Sequence, residues 1–266
     1  MFCLSIRDEV FQKIKSLNYI PVGLGNNINN SGWLRDNTLD NISEKNMYYG
    51  EYTFHYWFWK NRLKSINDNT WVGFCAYRRF WLKKYKKPFV INDLNSDVLL
   101  EIPNEWEGYD SIIGNKFDLT NLKFMKLIKY GKLSLLRNPR AIIKSGRSIR
   151  FQFDMFHGNG VLDRAINLLE KKDKNDFKRF VRENNSYNQG NMFICNSKEI
   201  MNEYYKTVFG WLNRCEDIFG FKNNSYGTTR VYAFLAERFL PYWFNKYTKS
   251  KEWPIVFYDT TKKVKS

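Results

Sequence analysis

A cluster of charged and amide side chains stands immediately before a run of aromatic residues in the first quarter of this chain. Two carboxylates in it, Asp36 and Asp40, are four residues apart. Carboxylates at this spacing in a turn could hold a divalent cation such as Mg²⁺ or Mn²⁺, or bind hydroxyl groups. The competing interpretation is that Asp40 and Asn41 only cap the turn and the helix that follows. The remaining polar residues of the cluster are Arg35, Lys45 and Asn46.

A second polar group follows a short apolar segment. Residues 71–76 predict a buried strand that runs directly into Tyr77, Arg78 and Arg79. A guanidinium fork matches phosphate and carboxylate oxygens, so two arginines at a strand end indicate a site for an anion. The position supports this interpretation, because open α/β sheets bind ligands beyond the carboxyl ends of their strands. A solvated pair of surface arginines is the alternative.

The order of elements predicts an α/β sandwich around a mainly parallel sheet flanked by helices, in a single domain over residues 1–266. Short apolar runs predict strands at 2–6, 71–77, 109–114 and 192–195. Periodicity of three to four residues predicts helices at 8–17, 44–63, 161–172, 176–183, 197–219 and 229–243. Ser43 is the expected N-cap of the second helix, and Pro241 is expected to bend or end the last one.

Charge is concentrated in one part of the chain, whose formal net charge is +16. From Lys116 to Arg150 there are ten basic residues and one acid, which leaves this segment with a net charge of +9. Apolar residues are interleaved with the charges. Such a basic, partly amphipathic segment suits an anionic membrane surface, a pyrophosphate-linked lipid or nucleic acid, and a solvated face is the alternative.

Other features of composition bound the class of protein. No apolar run approaches ~20 residues, so we expect no membrane-spanning helix, and the N-terminus lacks the pattern of a secretion signal. The cysteines at positions 3, 75, 195 and 215 are far apart in apolar surroundings, which predicts free, buried thiols. With only two histidines, a Cys/His zinc site is nearly excluded.

Three motifs in one order resemble a family of domains of unknown function found in bacterial capsule and lipopolysaccharide glycosyltransferases, some of which are galactofuranosyltransferases. They read Leu-Arg-Asp-Asn-Thr-Leu-Asp-Asn-Ile-Ser at 34–43, Tyr-Trp-Phe-Trp-Lys-Asn at 56–61 and Gly-Phe-Cys-Ala-Tyr-Arg-Arg at 73–79. The likeness continues at 191–194 and 230–238 and so spans most of the chain. Two departures are Leu39, where the family usually has Gly, and Ala76, where it usually has His.

The resemblance implies a GT-A-like nucleotide-sugar-binding fold and an inverting hexosyltransferase. The donor would be a UDP-sugar, with galactofuranose as one candidate, and a divalent cation stays an open question. The acceptor would be a lipid-linked oligosaccharide of capsule or lipopolysaccharide assembly. A role in that assembly would place the protein in the cytoplasm, peripheral on the anionic inner leaflet of the inner membrane.

The resemblance also implies roles for individual residues. Candidates for the catalytic groups are Asp40, Asp36, Glu237 and His157, and Asp36 and Asp40 are the candidate metal ligands. Candidates for donor binding are Arg35, Asn41, Lys45, Asn46, Tyr77, Arg78, Arg79, Asn188, Asn191 and Arg238.

Structural roles compete for several of these residues. Asn188 and Asn191 could cap a turn, Glu237 and Arg238 could form an intrahelical ion pair, and His157 could serve structure alone. His55 shares a helical face with Glu51, but without a third ligand we expect it in the core or at its boundary.

Two other functions stay open. The high charge and aromatic content suggest a basic nucleic-acid-binding protein, and the departures at Leu39 and Ala76 suggest an inactive relative that acts as an assembly partner. Nucleic-acid binders expose aromatic residues among Lys and Arg. Here Trp57, Trp59 and Trp211 lie in apolar patterns that predict a core, so we expect no nucleic-acid partner.

Overall fold

The structure, a computed structural model, describes residues 1–25, 28–121, 132–223 and 225–261. The chain divides into two compact units. Unit 1 consists of Met1–Asn115, Gly190–Tyr205 and Phe244–Ser266, and unit 2 of Lys116–Gln189 and Lys206–Trp243. The single domain over residues 1–266 stays a prediction.

The residues that the structure describes form eleven strands, nine of them in the sheet of unit 1. The strands of the chain are β1 Phe2–Ser5, β2 Ile20–Gly23, β3 Leu34–Arg35, β4 Val72–Ala76, β5 Arg79–Trp81, β6 Ser111–Gly114, β7 Lys116–Asp118, β8 Ser186–Asn188, β9 Phe193–Cys195, β10 Ser250–Trp253 and β11 Ile255–Phe257. All the predicted strands are present, each shortened by one or two residues.

Unit 1 is built around a nine-stranded sheet in the order β10-β6-β9-β4-β1-β2-β3, with β5 paired to β4 and β11 paired to β5. Its β9 is antiparallel to both β4 and β6, and β5 is antiparallel to β4 and β11. The other strands of this sheet share one direction. The prediction of an α/β fold with a mainly parallel sheet is therefore confirmed.

The helices lie where the sequence patterns predict them, but several differ from the predicted length. In the described part of the chain, α-helices occupy Phe11–Lys15, Asn46–Tyr49, Tyr52–Asn61, Leu94–Asp97, Ile149–His157, Val161–Asn167, Lys171–Glu183, Lys198–Phe219, Tyr226–Thr229 and Val231–Tyr247, and residues 132–137 are also helical. Short 3-10 helices occupy Asp8–Val10, Ser43–Lys45, Leu63–Ser65, Asn104–Trp106, Leu119–Asn121, Pro139–Ile142 and Lys144–Gly146.

The single helix predicted over 44–63 is wrong, because the chain breaks at Gly50. Gly50 has φ 55°, a left-handed conformation that residues with a Cβ rarely adopt, and it separates Asn46–Tyr49 from the helix Tyr52–Asn61. Ser43 makes no side-chain cap, since it begins a short 3-10 helix instead. Pro241 lies inside Val231–Tyr247 and does not end it.

Aromatic side chains fill the core of unit 1. Phe74 of β4 lies 4.5 Å from the His55 ring and 5.1 Å from Phe193, centroid to centroid, and all three are fully buried. Phe2 stacks on Phe74 at 5.7 Å. The four cysteines are free and buried, as predicted. In the aromatic run, Trp57 is buried and Trp59 is half-buried, so the run does serve the interior, and Trp211 of unit 2 is buried as well.

Unit 2 combines the antiparallel pair β7 and β8 with helices. Phe177 packs edge-on against Trp211 at 5.9 Å and against Phe239 at 5.3 Å. The Trp211 indole donates to the Ala165 carbonyl at 2.7 Å, which satisfies the only polar atom of a fully buried ring. Of the basic segment, residues 122–131 lie outside the described part of the chain.

Among the described residues, no helix has the length and apolar character needed to cross a bilayer.

Candidate functional site

The carboxyl ends of four neighbouring parallel strands of unit 1 bring the two predicted polar groups to one edge of the sheet. In the register, Arg35 at the end of β3 is opposite Gly23 of β2, and Gly23 is opposite Ser5 of β1. On the other side of β1, the Tyr77 amide donates to the Leu4 carbonyl at 2.9 Å, just after β4 ends. The acidic cluster and the arginine pair therefore follow strands that end along the same row.

The strand order marks one place on this edge for a ligand. Strand β1 lies between β2 and β4, so the chain builds the sheet outward on one side of β1 and then returns to its other side. In open α/β sheets, ligands bind at the carboxyl ends of the strands at such a reversal. Here it lies between residues 5–7, after β1, and residues 77–79, after β4. The sequence patterns indicated residues 77–79 as a binding segment but not residues 5–7. The choice of residues 5–7 depends on strand order, which cannot be predicted from local sequence patterns.

The arginine pair is presented on a fixed backbone. The Arg78 guanidinium lies over the Tyr77 ring at 4.7 Å and donates to the Tyr77 hydroxyl. Later residues brace this turn, since the Tyr258 amide donates to the Arg78 carbonyl at 3.0 Å and the Thr260 hydroxyl donates to the Tyr77 carbonyl at 2.6 Å. The Arg79 side chain is half-exposed, and within the described part of the chain it has no partner. Both guanidinium groups thus keep donors for a ligand.

Arg35 has a different position from the one implied for a donor-binding residue. Its guanidinium donates to the Ile28 carbonyl at 2.7 Å and to the Gly25 carbonyl at 2.6 Å. Gly25 has φ 69°, which suits glycine. Arg35 therefore binds the backbone of Gly25 and Ile28 after β2, and its contacts favour a structural role.

Asp36 is the most unusual polar group of this edge. Its side chain is 1% exposed, and neither carboxylate oxygen has a hydrogen-bond partner. Thr53 lies nearby, but its hydroxyl donates to the Gly50 carbonyl at 3.0 Å and its oxygen accepts from Asn46 at 3.0 Å. Burial raises the pKa of Asp36, although the nearby Thr53 hydroxyl, its own backbone amide and the charge of Arg35 oppose the shift. Neither donor reaches a carboxylate oxygen with hydrogen-bond geometry, so burial dominates. A buried carboxylate without donors is costly unless something binds it.

Asp40 has the opposite environment. It is exposed, accepts from the Tyr56 hydroxyl at 3.2 Å, and its carbonyl accepts from the Asn61 amide at 2.8 Å. The turn ahead of it is strained, since Leu39 has φ 54° with a side chain that is 78% exposed. The family's usual Gly at that position would carry no such strain.

The other polar residues of this cluster make local contacts. The Asn41 side-chain amide donates to the Leu39 carbonyl at 2.8 Å, and its side-chain oxygen accepts from the Ser43 backbone amide and hydroxyl. These contacts agree with the alternative interpretation, in which Asn41 caps the turn. The Asn46 amide donates to the Gly50 carbonyl at 3.0 Å. Lys45 is half-buried at the end of the 3-10 helix Ser43–Lys45.

Asn191 precedes β9 and contacts the buried His55. The His55 Nε2 lies 3.2 Å from the Asn191 carbonyl, and its Nδ1 lies 3.0 Å from the Tyr205 hydroxyl. The carbonyl can only accept, so Nε2 carries the proton and Nδ1 accepts from Tyr205. Burial lowers the pKa of His55 to about 4. His55 is thus a core residue that positions the turn before β9, as expected.

Three further candidates meet in unit 2. The Arg238 guanidinium, 1% exposed, pairs with Glu237 and donates to the Gln152 side-chain oxygen at 2.8 Å. It also lies 4.6 Å from the Tyr187 ring. Asn188, which follows Tyr187 in β8, is buried. The ion pair matches the structural alternative for Glu237 and Arg238.

His157 belongs to the same cluster. Its Nδ1 lies 3.2 Å from the Gly227 carbonyl and its Nε2 lies 3.3 Å from the Arg238 guanidinium, so Nδ1 carries the proton. Burial, and then the charge of Arg238, lower the pKa of His157. Both ring nitrogens are engaged, and the ring stacks on Phe234 at 3.8 Å, which favours a packing role.

No group of three or more His, Cys, Asp or Glu side chains able to hold a metal occurs in the ranges that the structure describes. A cation at this edge would therefore need ligands beyond the protein's own carboxylates, and Asp36 is the group with oxygens to spare.

The sheet, its order and this edge define an α/β protein with a GT-A-like glycosyltransferase fold. A solved apo structure of a WbbM bifunctional glycosyltransferase is similar, with a TM-score of 0.66 and 21% identity. The similarity covers 97% of this chain and 45% of that one, so this chain spans less than half of that protein.

The model of the family DUF4422, a domain of unknown function, matches residues 7–249, so the chain belongs to this family. No curated protein sequence matches it. The predicted membership of a family of domains of unknown function is therefore confirmed, and the similar structure supports the GT-A-like fold. Glycosyltransferase activity and galactofuranosyl specificity stay predictions.

Proposed function

We propose that this chain is a glycosyltransferase that moves a sugar from a nucleoside-diphosphate donor to an acceptor of a bacterial surface polysaccharide. The observation that carries the proposal is the position of Arg78 and Arg79 after β4, where the strand order reverses beside β1. This is where open α/β sheets bind ligands, and guanidinium groups suit a diphosphate. The fold shared with a WbbM bifunctional glycosyltransferase supports the same conclusion.

The chemical task of the arginine pair is to stabilise the leaving group. As the bond between the sugar and the diphosphate breaks, negative charge grows on the diphosphate oxygens, and preorganised donors lower the barrier. Stacking on Tyr77 restricts Arg78 before the ligand arrives, and the backbone bonds from Tyr258 and Thr260 fix the turn. Arg79 supplies the second charge. The likeness to its family makes a UDP-sugar the proposed donor.

Asp36 fits a divalent cation in one respect. Both of its oxygens lack partners, and Mg²⁺ is often held by one or two carboxylates together with phosphate oxygens. Asp36 would hold such an ion once its side chain, which is 1% exposed in this structure, becomes accessible, and the ion would then supply further neutralisation of the leaving group.

The acceptor hydroxyl must lose a proton, and Asp40 is the proposed base. Its carboxylate is exposed and therefore accessible to an acceptor, and the Tyr56 hydroxyl orients it. Direct removal of the proton during a single displacement gives inversion at the sugar. Glu237 and His157 are weaker candidates, because each is engaged with Arg238.

The finer parts of the proposal rest on the family likeness alone. They are a lipid-linked oligosaccharide acceptor in capsule or lipopolysaccharide assembly, galactofuranose as one candidate sugar, and a cytoplasmic location at the inner leaflet of the inner membrane.

A nucleotide-sugar panel tests the proposal. Thermal stabilisation by UDP-sugars, with and without Mn²⁺, should exceed that by the free sugars. Replacing Arg78 or Arg79 with Ala should weaken donor binding by about 1.5–3 kcal/mol, or roughly 10–150-fold, as expected for a charged hydrogen bond. The matched control is Arg179→Ala, at an exposed arginine of unit 2, which should bind normally.

Three outcomes separate the alternatives. Normal donor affinity in a folded double arginine variant would remove the pair from the site. Donor binding without transfer or slow donor hydrolysis would favour an inactive relative. Tight binding to random-sequence RNA with no response to any nucleotide sugar would favour the nucleic-acid-binding protein.

A further inference from the structure

One stretch of unit 2 presents large aliphatic side chains and cations together on its outward side. Four of its five large aliphatic residues are more than half exposed, which is unusual for such side chains so close in sequence: Leu133 51%, Leu136 81%, Ile142 57% and Ile143 68%. The exposed cations among them are Lys132, Arg137, Arg140 and Lys144. Between residues 132 and 150 there are six basic residues and no acid. We call residues 132–144 the basic-aliphatic surface.

The inward side of this stretch is anchored. The Ser134 hydroxyl, 3% exposed, donates to the Asn159 side chain at 2.9 Å. Ala141 is fully buried and packs with Phe151 and Met155. Leu135 is half-buried against the same cluster. Ser134, Leu135 and Ala141 thus face inward, and the other four large aliphatic residues of the surface are left outside.

A buried arginine fixes the end of the stretch. The Arg147 guanidinium, 4% exposed, donates to the Thr120 carbonyl at 2.7 Å and to the Ala141 carbonyl at 3.2 Å. Close by, a Cβ on Gly146 would lie 2.1 Å from the Arg140 carbonyl oxygen, so only glycine fits. The backbone is therefore specified in detail, and the exposure of the aliphatic residues is a property of a defined structure.

We propose that the basic-aliphatic surface docks onto an anionic lipid bilayer. Leu136 and Ile143 would enter the boundary between headgroups and acyl chains, while the surrounding cations contact lipid phosphates. Two observations favour a bilayer over other occupants. Nucleic acid offers no apolar phase for four aliphatic side chains, and protein interfaces favour aromatic residues and disfavour Lys. The proposal does not depend on the donor chemistry, because it concerns unit 2 and can be measured without a nucleotide sugar.

Vesicle flotation of the full chain, without donor, tests this surface. Binding should require anionic lipid and should fall as salt is raised, since screening acts over about 10 Å at 0.1 M. In vesicles of equal parts phosphatidylglycerol and phosphatidylcholine, Leu136→Asn with Ile143→Asn should weaken binding at least about tenfold. Arg140→Gln and Lys144→Gln should each weaken it about fivefold.

Matched controls come from the same unit. Ile218→Asn removes an aliphatic residue that is 64% exposed, and Lys178→Gln removes an exposed cation, both outside the surface. Each should bind vesicles like the parent chain. All of these positions are exposed, so melting curves should be unchanged and binding losses will not reflect misfolding.

Several results would overturn the proposal. Equal binding to pure phosphatidylcholine would remove the anionic surface as the occupant. Full binding by the Leu136 and Ile143 double variant would exclude insertion. A concentration-dependent dimer that the same double variant abolishes would make the surface an interface between two copies of the chain. Tighter binding to RNA than to vesicles would assign the cations to nucleic acid.

Discussion

Replacing Asp36 with Asn should make the ligand-free protein more stable. The Asp36 carboxylate is 1% exposed, and neither oxygen accepts a hydrogen bond. Asn keeps the volume and removes the charge. A buried polar group without a partner costs about 1–3 kcal/mol, and because Asn keeps a polar amide we expect a gain near the lower end, about 1–2 kcal/mol. For a chain of this size, that is a rise in Tm of about 2–8 °C.

The dependence on pH gives the same prediction a sharper form. Burial raises the pKa of Asp36, so the folded state holds its proton more tightly than the unfolded state. The free energy of unfolding therefore falls as the pH rises from the unfolded pKa, about 3.9, through the folded pKa, and the penalty is complete above it. The advantage of Asp36→Asn should be largest at pH 7 and should disappear in acid.

Urea unfolding of the parent and the variant at several pH values measures this difference. The matched control is Asp40→Asn, at an exposed carboxylate with a donor, where we expect a change within about 0.5 kcal/mol. If Asp36 binds a cation or the donor, the variant should also lose part of the stabilisation by UDP-sugar with Mn²⁺. A variant less stable than the parent at pH 7, or an advantage independent of pH, would refute the reasoning.

Three other substitutions have defined outcomes. Leu39→Gly should stabilise the fold by about 1 kcal/mol in urea unfolding, because it relieves φ 54° at a side chain that is 78% exposed, and a loss of stability would contradict the strain. Asp40→Asn should lower turnover at least about a hundredfold in a transfer assay with little change in Tm, and near-normal turnover would exclude Asp40 as the base. Acid should destabilise the parent through His55, whose pKa burial lowers from 6.5 to about 4. The contribution of neutral His55 to the free energy of unfolding is complete above pH 6.5 and falls by about 3 kcal/mol towards pH 4. His55→Gln should therefore reduce the dependence of the free energy of unfolding on pH in this range. With two histidines in the chain, NMR titration of the ring protons can verify that His55 stays neutral at pH 5.5.

Local patterns predicted the elements well, because short apolar runs and helical periodicity report burial directly. The arginine pair after β4 was found in this way, since a polar turn after a buried strand is visible in the sequence. The break at Gly50 was missed, because glycine inside a periodic stretch is tolerated often enough that the pattern continues across it.

Partners in space could not be predicted, because they depend on strand order and on contacts between distant residues. Arg35 resembles a ligand-binding residue in sequence, yet its donors go to the carbonyls of Gly25 and Ile28. Asp36 and Asp40 are alike in sequence, but one is buried without a partner and the other is exposed. The segment after β1, residues 5–7, has no sequence pattern that marks it as part of a site. It becomes part of the candidate site only because β4 pairs with β1 in the sheet.

The brace across the arginine turn has a consequence for how the protein is made. Thr260 bonds to Tyr77, a residue 183 positions earlier, and Tyr258 bonds to Arg78. During synthesis, β1 to β4 can emerge and pair long before these residues leave the ribosome. Contacts this distant in sequence form slowly and late. The nascent chain therefore carries the paired strands β1 to β4 while the turn at Tyr77 and Arg78 is still unbraced, and this turn gains its fixed backbone only after residues 258–260 have emerged.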